Sequence, residues 1–292
     1  MRAILARLRL KAEADADQLP DLLMRAHQVA NSSLSGEHLS QKSGAGEKFW
    51  QFRHYTTQDR PQDIDWRQSG KSDAVFIRQK QKQQLQSIYF WCNRDPSMEY
   101  TSSARRPRKS EAAHILILAL GIMMQRAGEH IGMMGHPKSG RGSDMLNDIG
   151  QSLLSAAPVA LKDVPTTSHG RNHASLVMVS DFIDEHAAID ASFRQLSGRY
   201  AHGLIIQVLD PAEMDLPWRG RIIFEDIATT TRENIQNVSS IREAYRQKIQ
   251  DHMAAIQSTC DDIGWTYILH RTDHPYTQTL EKIYEQSLAR AL

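Results

Sequence analysis

Cysteine is nearly absent from this chain: its 292 residues include only Cys92 and Cys260. A disulfide framework is thereby excluded. Both cysteines lie in apolar or helical contexts, so they are expected as buried free thiols in a reducing compartment. Excess charge of one sign is missing as well, since 35 Lys and Arg face 34 Asp and Glu for a net +1. That balance supplies no global attraction to nucleic acid or to acidic lipid. Long hydrophobic runs are also lacking. The most apolar stretch, Ala112–Met124, is interrupted by His114 and falls short of the roughly 20 residues needed to cross a bilayer. Met1–Leu10 is Arg-rich but has neither the long apolar core nor the small-residue cleavage site of a secretion signal. These absences lead to the expectation of a soluble cytoplasmic protein with no nucleic acid partner and no membrane span. What remains is an ordinary globular composition, 40% hydrophobic and 24% charged.

From residue 86 onward, short apolar runs alternate with longer helical segments. The runs are Ser87–Trp91, Ser175–Val179, Leu204–Leu209, Arg221–Phe224 and Trp265–Leu269, with a further short one at Ile131–Met134. They are mostly unalternating, as strands covered on both faces are. Helices are expected over 110–127, 143–155, 186–198, 233–262 and 276–291. The helix at 110–127, with Ser110 as its expected N-cap, is apolar almost all round and therefore central. The one at 233–262 is amphipathic, with Ile235, Val238, Ile241, Tyr245, Ile249, Met253 and Ile256 on one face. This alternation predicts an α/β domain over 86–292, a mainly parallel sheet with helices on both faces, preceded by an N-terminal addition over 1–85.

Open parallel sheets bind ligands outside the carboxyl ends of their strands. Residues following those ends are Asn93-Arg94-Asp95-Pro96-Ser97-Met98, Ser180-Asp181 and Asp210-Pro211. If neighbouring strands carry the first two, Asp95, Ser97 and Asp181 converge. Other motifs carry less. Gly135–Gly142 has the glycine spacing of a phosphate loop but lacks its Lys-Ser/Thr ending and reads as a turn before a helix. Arg105, Arg106, Arg108 and Lys109 form the one dense basic cluster, read as a solvated loop. There is no nucleophile elbow and no Cys-His arrangement.

The densest segment is 44–66, with Gly44, Gly46, Phe49, Arg53, Tyr55, Asp59, Pro61, Ile64, Asp65 and Trp66 in order and without gaps. It resembles the signature of the bacterial domain of unknown function 58 family, with departures at Lys48, Gln58 and Gln62. Further down, Val179–Asp184, Leu209–Glu213, Leu216-Pro217 and Phe224–Asp226 resemble the same family's later segments. The resemblance implies a von Willebrand factor A-like, that is Rossmann-like, fold and a partnership with a MoxR-type AAA+ ATPase. In that partnership the chain would be a non-enzymatic adaptor or co-chaperone acting on an unknown client. It also implies a metal-ion-dependent adhesion site, normally D-x-S-x-S plus a later Asp. Here the corresponding residues are Asn93, Asp95, Ser97 and Asp181, an altered set in which an amide leads and Mg²⁺ is the expected ion. The site's third loop would supply Ser139, Ser143 or Asp144. For the signature itself, Arg53, Tyr55, Asp59, Asp65 and Trp66 form either a recognition surface or an anchor. In the anchor, Asp65 pairs with Arg53 beneath Trp66, with Tyr55 and Trp50 as filler. Two other functions stand beside the adaptor: an Mg²⁺-dependent phosphohydrolase using Asp95 and Asp181, and a purely structural protein whose rim binds nothing.

Overall fold

A computed structural model describes residues 49–55, 64, 66–70, 75–80, 87–136, 138–155, 160–164, 174–200, 202–225 and 232–291. They fall into two compact units, one within 42–85 and one within 86–292.

In the smaller unit, β1 (Phe49–His54), α1 (Trp66–Ser69) and β2 (Phe76–Lys80) are described. β1 and β2 form an antiparallel pair in which Arg53 faces Ile77. The pairing continues through Tyr55 N–H, which donates to Val75 O at 2.8 Å. Buried Ser69 closes the turn after α1, its Oγ accepting from Phe76 N–H at 2.8 Å. Trp66, the cover in the anchor reading, is 70% exposed. Asp59 and Asp65 lie outside the described residues.

The larger unit opens with β3 (Ser87–Cys92) and α2 (Lys109–Arg126), followed by β4 (His130–Met133), β5 (Ser139–Gly140) and α3 (Ser143–Ser155). Next come β6 (Ala174–Ser180), α4 (His186–Ser197), β7 (His202–Leu209) and the short α5 (Pro211–Asp215). A hairpin of β8 (Ile222–Glu225) and β9 (Arg232–Ile235) leads to α6 (Val238–Asp262), β10 (Thr266–Arg271) and α7 (Tyr276–Ala291). The sheet order is β10-β7-β6-β3-β4-β5, parallel throughout except for β5. The expected fold class, an α/β domain built on a mainly parallel sheet, is the one found.

Continuous apolar runs form these strands because both sheet faces are covered. Along β3, Ile88, Phe90 and Cys92 enter one core with α2, α3 and α7, while Tyr89 and Trp91 enter the other with α4 and α6. Cys92 and Cys260 are both buried free thiols, as expected. Helix α2 is sealed over two turns, with Ile115, Leu116, Ile117 and Leu118 at 0% exposure. Each such side chain contributes about 1.5–3 kcal/mol of burial before entropy is counted. On the opposite face, Trp265 lies flat against β7 at Gly203, where a Cβ would come within 2.0 Å of the indole. Only glycine permits that approach.

Three sequence expectations need correction here. Arg221–Phe224 is not a strand of the main sheet: β8 pairs antiparallel with β9, a separate two-stranded element. Correspondingly the long helix starts at Val238 and not at 233, with Asn237 Oδ1 accepting from Ser239 N–H at its N-cap. Ile235 matches the helical spacing only by coincidence. The N-cap of α2 is Arg108, which makes no side-chain capping bond, while Ser110 is buried inside the first turn.

Candidate functional site at the switch point

The chain runs from β3 outward to β4, then returns across β3 to β6 on its other side. The switch point therefore lies between β3 and β6, at whose carboxyl ends open α/β sheets place ligands. The two strands are in register from Ser87↔Ala174 to Cys92↔Val179. Asn93 N–H extends the ladder by one bond, donating to Val179 O at 2.9 Å. Asn93 and Asp181 are thus brought together by the sheet itself.

Their surroundings differ from the sequence expectation. Asn93 is buried and its Oδ1 accepts from Asp95 N–H at 3.1 Å, turning the loop back on itself. Asp95 is exposed and stands at the N-cap of a 3-10 turn, Pro96–Glu99, without a side-chain capping bond. Ser97 is half-buried, and its carbonyl accepts from Tyr100 N–H at 3.3 Å. So Asn93, and neither Asp95 nor Ser97, organises the loop with its side chain.

Asp181, 2% exposed, meets an ammonium. Lys109 Nζ donates to Asp181 Oδ2 at 2.9 Å and to Glu213 Oε1 at 2.5 Å, with the Lys109 side chain wholly buried. The reading of Lys109 as part of a solvated basic loop is therefore corrected: it is the first residue of α2 and the counter-charge of the switch point. The Tyr100 ring lies 5.8 Å from its nitrogen. A cation at the first position of a helix opposes the helix dipole, so the two carboxylates offset both that repulsion and the desolvation of the ammonium.

Glu213 is placed by the sequence Asp210-Pro211-Ala212-Glu213. Proline at the first helical position and Asp210 before it start α5. A capping box closes the turn: Asp210 Oδ1 accepts from Ala212 N–H and Glu213 Oε2 from Asp210 N–H, both at 2.8 Å. Glu213 Oε1 is left for Lys109. Burial holds the Glu213 carboxyl above the usual carboxylate range, while the Lys109 ammonium pulls the other way. Asp210, fully buried, also accepts from Ser102 N–H at 3.1 Å and Thr272 Oγ1 at 3.4 Å, tying the loops after β3 and β10 to the end of β7. Burial, with Asp210, Glu213 and Tyr245 adding to it, pushes the Tyr100 hydroxyl up to about 12.

After Asp181 the backbone turns sharply. Phe182 has φ 46°, a left-handed conformation that a bulky residue adopts only under constraint. Its ring is fully buried, 6.2 Å from Trp91 and edge-on to Phe193 at 5.5 Å, and its carbonyl lies 2.6 Å from His252 Nε2. With Phe182 fixed inward, Ile183 stands outward, 52% exposed, beside exposed Asp184. The Asp184 carboxyl is raised by burial first and then by the charges of Asp95 and Asp181. The rim therefore presents one isoleucine among carboxylates.

As arranged, these donors do not compose an octahedral oxygen site for a hard cation. The Asp181 oxygen is taken by an ammonium, the Asn93 oxygen by an N–H of its own loop, and Asp95 points to water. Among the described residues no group of three or more His, Cys, Asp or Glu is placed to hold a metal ion. The third-loop candidates are not at this end. Ser139 lies in β5 opposite Gly132, accepting from the Tyr89 hydroxyl at 3.3 Å. Ser143 and Asp144 follow Gly142, whose carbonyl is bonded by Gln125 at the far end of α2, at the amino edge of the sheet. The Gly135–Gly142 segment holds the two-residue β5 and then runs directly into α3 at Ser143, in keeping with its reading as a turn before a helix. No helix among the described residues is long and apolar enough to cross a membrane.

Sequence reasoning passed over Lys109, Asp210 and Glu213. Only the capping box of Asp210 and Glu213 is local; the partners of Lys109 lie 72 and 104 residues away along the chain.

No curated protein sequence matches the chain. Among solved structures it is similar to a conserved hypothetical protein, BatB, from Bacteroides thetaiotaomicron. That likeness has a TM-score of 0.36 at 12% identity, over 69% of this chain and 98% of that one. An aerotolerance-related membrane protein from Bacteroides fragilis NCTC 9343, with multiple mutations to serines, gives 0.39 at 18% identity, over 70% and 99% of the two chains. The profile of one family, described as protein of unknown function DUF58, matches residues 51–255, more than half of the sequence, and the chain belongs to that family.

Proposed function

We propose that this protein is a cytoplasmic interaction module that docks other proteins at its switch-point rim, with a MoxR-type AAA+ ATPase as the partner the family resemblance suggests. The observation that carries this reading is the geometry of residues 181–184. A left-handed Phe182 is sunk between Trp91 and Phe193, so that Ile183 is held out in water beside exposed Asp184. Strain of this kind costs about 1–3 kcal/mol and clusters at sites where the exposed conformation is used. An apolar anchor within a polar surround is the arrangement from which interface hot spots are built. The chain then acts as an adaptor or co-chaperone, presenting a client to the ATPase.

The test uses the purified full chain and the purified MoxR-type ATPase of the same bacterium. Binding is expected, and Ile183→Asp should weaken it roughly tenfold or more while leaving the melting temperature unchanged. A folded wild-type chain that fails to bind, or an Ile183→Asp chain that binds at full strength, would sink the proposal.

A further inference from the structure

We propose that the Lys109 ammonium is a permanent internal substitute for the divalent cation at the switch point, so that this protein holds its rim together without metal. Three observations carry it. First, the nitrogen of Lys109 bonds carboxylates from two different strand ends, Asp181 after β6 and Glu213 after β7. Second, its own residue is anchored to the loop after β3, with Lys109 N–H donating to Tyr100 O at 3.2 Å. Three strand-end segments thus converge on one positive charge, which is the work a bridging ion would do. Third, the donor that would begin an ion's coordination shell has been neutralised and turned away: Asn93 is an amide whose oxygen serves its own loop.

The physical consequences follow from the difference between the two cations. A divalent ion exchanges with solvent, so a rim that depends on one responds to chelators and to ion concentration. An ammonium tethered by four methylenes at 0% exposure is at a fixed, saturating local concentration. It carries one positive charge and three donors. Two are used by Asp181 and Glu213, and the charge of the pair of carboxylates is only half neutralised. A second cation entering here would have to displace the lysine from a closed pocket. This inference concerns the chain alone and stands whether or not an ATPase is the partner.

Two measurements on the full chain test it. In the first, the wild-type protein is titrated with Mn²⁺, followed by the free-ion electron paramagnetic resonance signal, and melted in Mg²⁺ and in EDTA. No depletion of the signal and identical melting temperatures are expected. A bound ion at about 100 times its Kd would raise the midpoint by several degrees. A rise of that kind that vanished in Asp181→Asn would overturn the proposal. In the second, Lys109→Met is compared in EDTA with Lys109→Met combined with Asp181→Asn and Glu213→Gln. If the ammonium is the counter-charge, the triple variant melts above the single one, even should the single variant be unfolded at room temperature. If neutralising both carboxylates brings no recovery, Lys109 is not acting as the cation and the proposal fails.

Discussion

At the end of β3, the loop keeps its carboxylate in water: Asp95 is exposed, makes no capping bond, and leaves the local geometry to a neutral amide, Asn93. At the ends of β6 and β7, three carboxylates, Asp181, Asp210 and Glu213, are drawn inside and met by a lysine and by backbone N–H groups. The two halves of one rim thus handle negative charge in opposite ways. Solvent stabilises the first at no cost in order. The second must be balanced inside the protein, where a charge without its partner is expensive. A substitution should therefore cost little on the β3 side and much on the β6–β7 side, and the size of that asymmetry measures how far the buried half depends on Lys109.

The largest effect is expected from Lys109→Met. It keeps the length and apolar stem of the side chain but leaves Asp181 and Glu213 facing each other without counter-charge. A loss of roughly 3–5 kcal/mol in urea unfolding is expected. A loss under about 1 kcal/mol would mean that water reaches the carboxylates, and the contrast between the two halves would disappear.

Acid should produce the next largest change, and it sharpens the comparison because each side hides one neutral histidine. His114, on α2 beneath the β3 loop, is buried, and its Nε2 has no partner among the described residues. Burial, helped by Arg94 and opposed by Glu99, pushes it down to about 4. On the other side burial pushes His270, whose Nδ1 is 2.7 Å from Thr279 Oγ1, down to about 4 as well. An unfolded imidazole binds its proton near 6.5. Each histidine therefore contributes fully above pH 6.5, and its contribution is lost as pH falls toward 4. The cost is on the order of 2–3 kcal/mol per residue over that window. His114→Leu should reduce the slope of unfolding free energy between pH 6.5 and 4.5. An unchanged slope would place the acid sensitivity elsewhere.

How much of this was legible in the sequence depends on whether neighbours in sequence are also neighbours in space. β3, β6 and β7 could be read directly, because a strand covered on both faces shows as an unbroken apolar run, whereas the adjacency of β3 and β6 at the switch point stood only as a condition, since alternation does not fix strand order. The β8–β9 hairpin could not, because Ile235 falls in step with Val238 and Ile241, and a three-residue spacing does not distinguish a strand end from a helix start. Lys109 was hidden differently. It closes a run of three arginines that are paired locally or exposed, among them Arg106 with Ser102 and Arg108 with Glu99. Its own partners lie 72 and 104 residues away. Charge density along the chain says nothing about such pairs. The capping box of Asp210 and Glu213 is local and could have been read, but its second use, as one wall of a lysine pocket, could not.

A smaller effect is expected from Asp210→Asn. The amide keeps one oxygen for Ala212 N–H but turns a donor toward Ser102 N–H or Thr272 Oγ1, where a carboxylate oxygen now accepts. About 1–2 kcal/mol should be lost. Faster hydrogen exchange confined to residues around Ser102 and Thr272 would show that the carboxylate ties those loops together, and uniform exchange would contradict that role.

The smallest effect, and the most exact check on the comparison, comes from Asp95→Asn. Its carboxylate is in water and its backbone N–H still reaches Asn93 Oδ1, so stability should change by less than about 0.5 kcal/mol. A change should nevertheless appear at a distance. Asp184 is raised by burial first and by Asp95 second. A carboxyl raised in the folded state contributes most at low pH, and that contribution is lost as pH rises through its folded pKa. Removing Asp95 should lower the Asp184 midpoint and shift this loss to lower pH, as followed by the carboxyl carbon resonance of Asp184. An Asp95→Asn chain that loses as much stability as Asp210→Asn would show the β3 loop to be as dependent on internal charge balance as its neighbour. A silent Asp184 would show that the two sides of the rim do not sense one another through water.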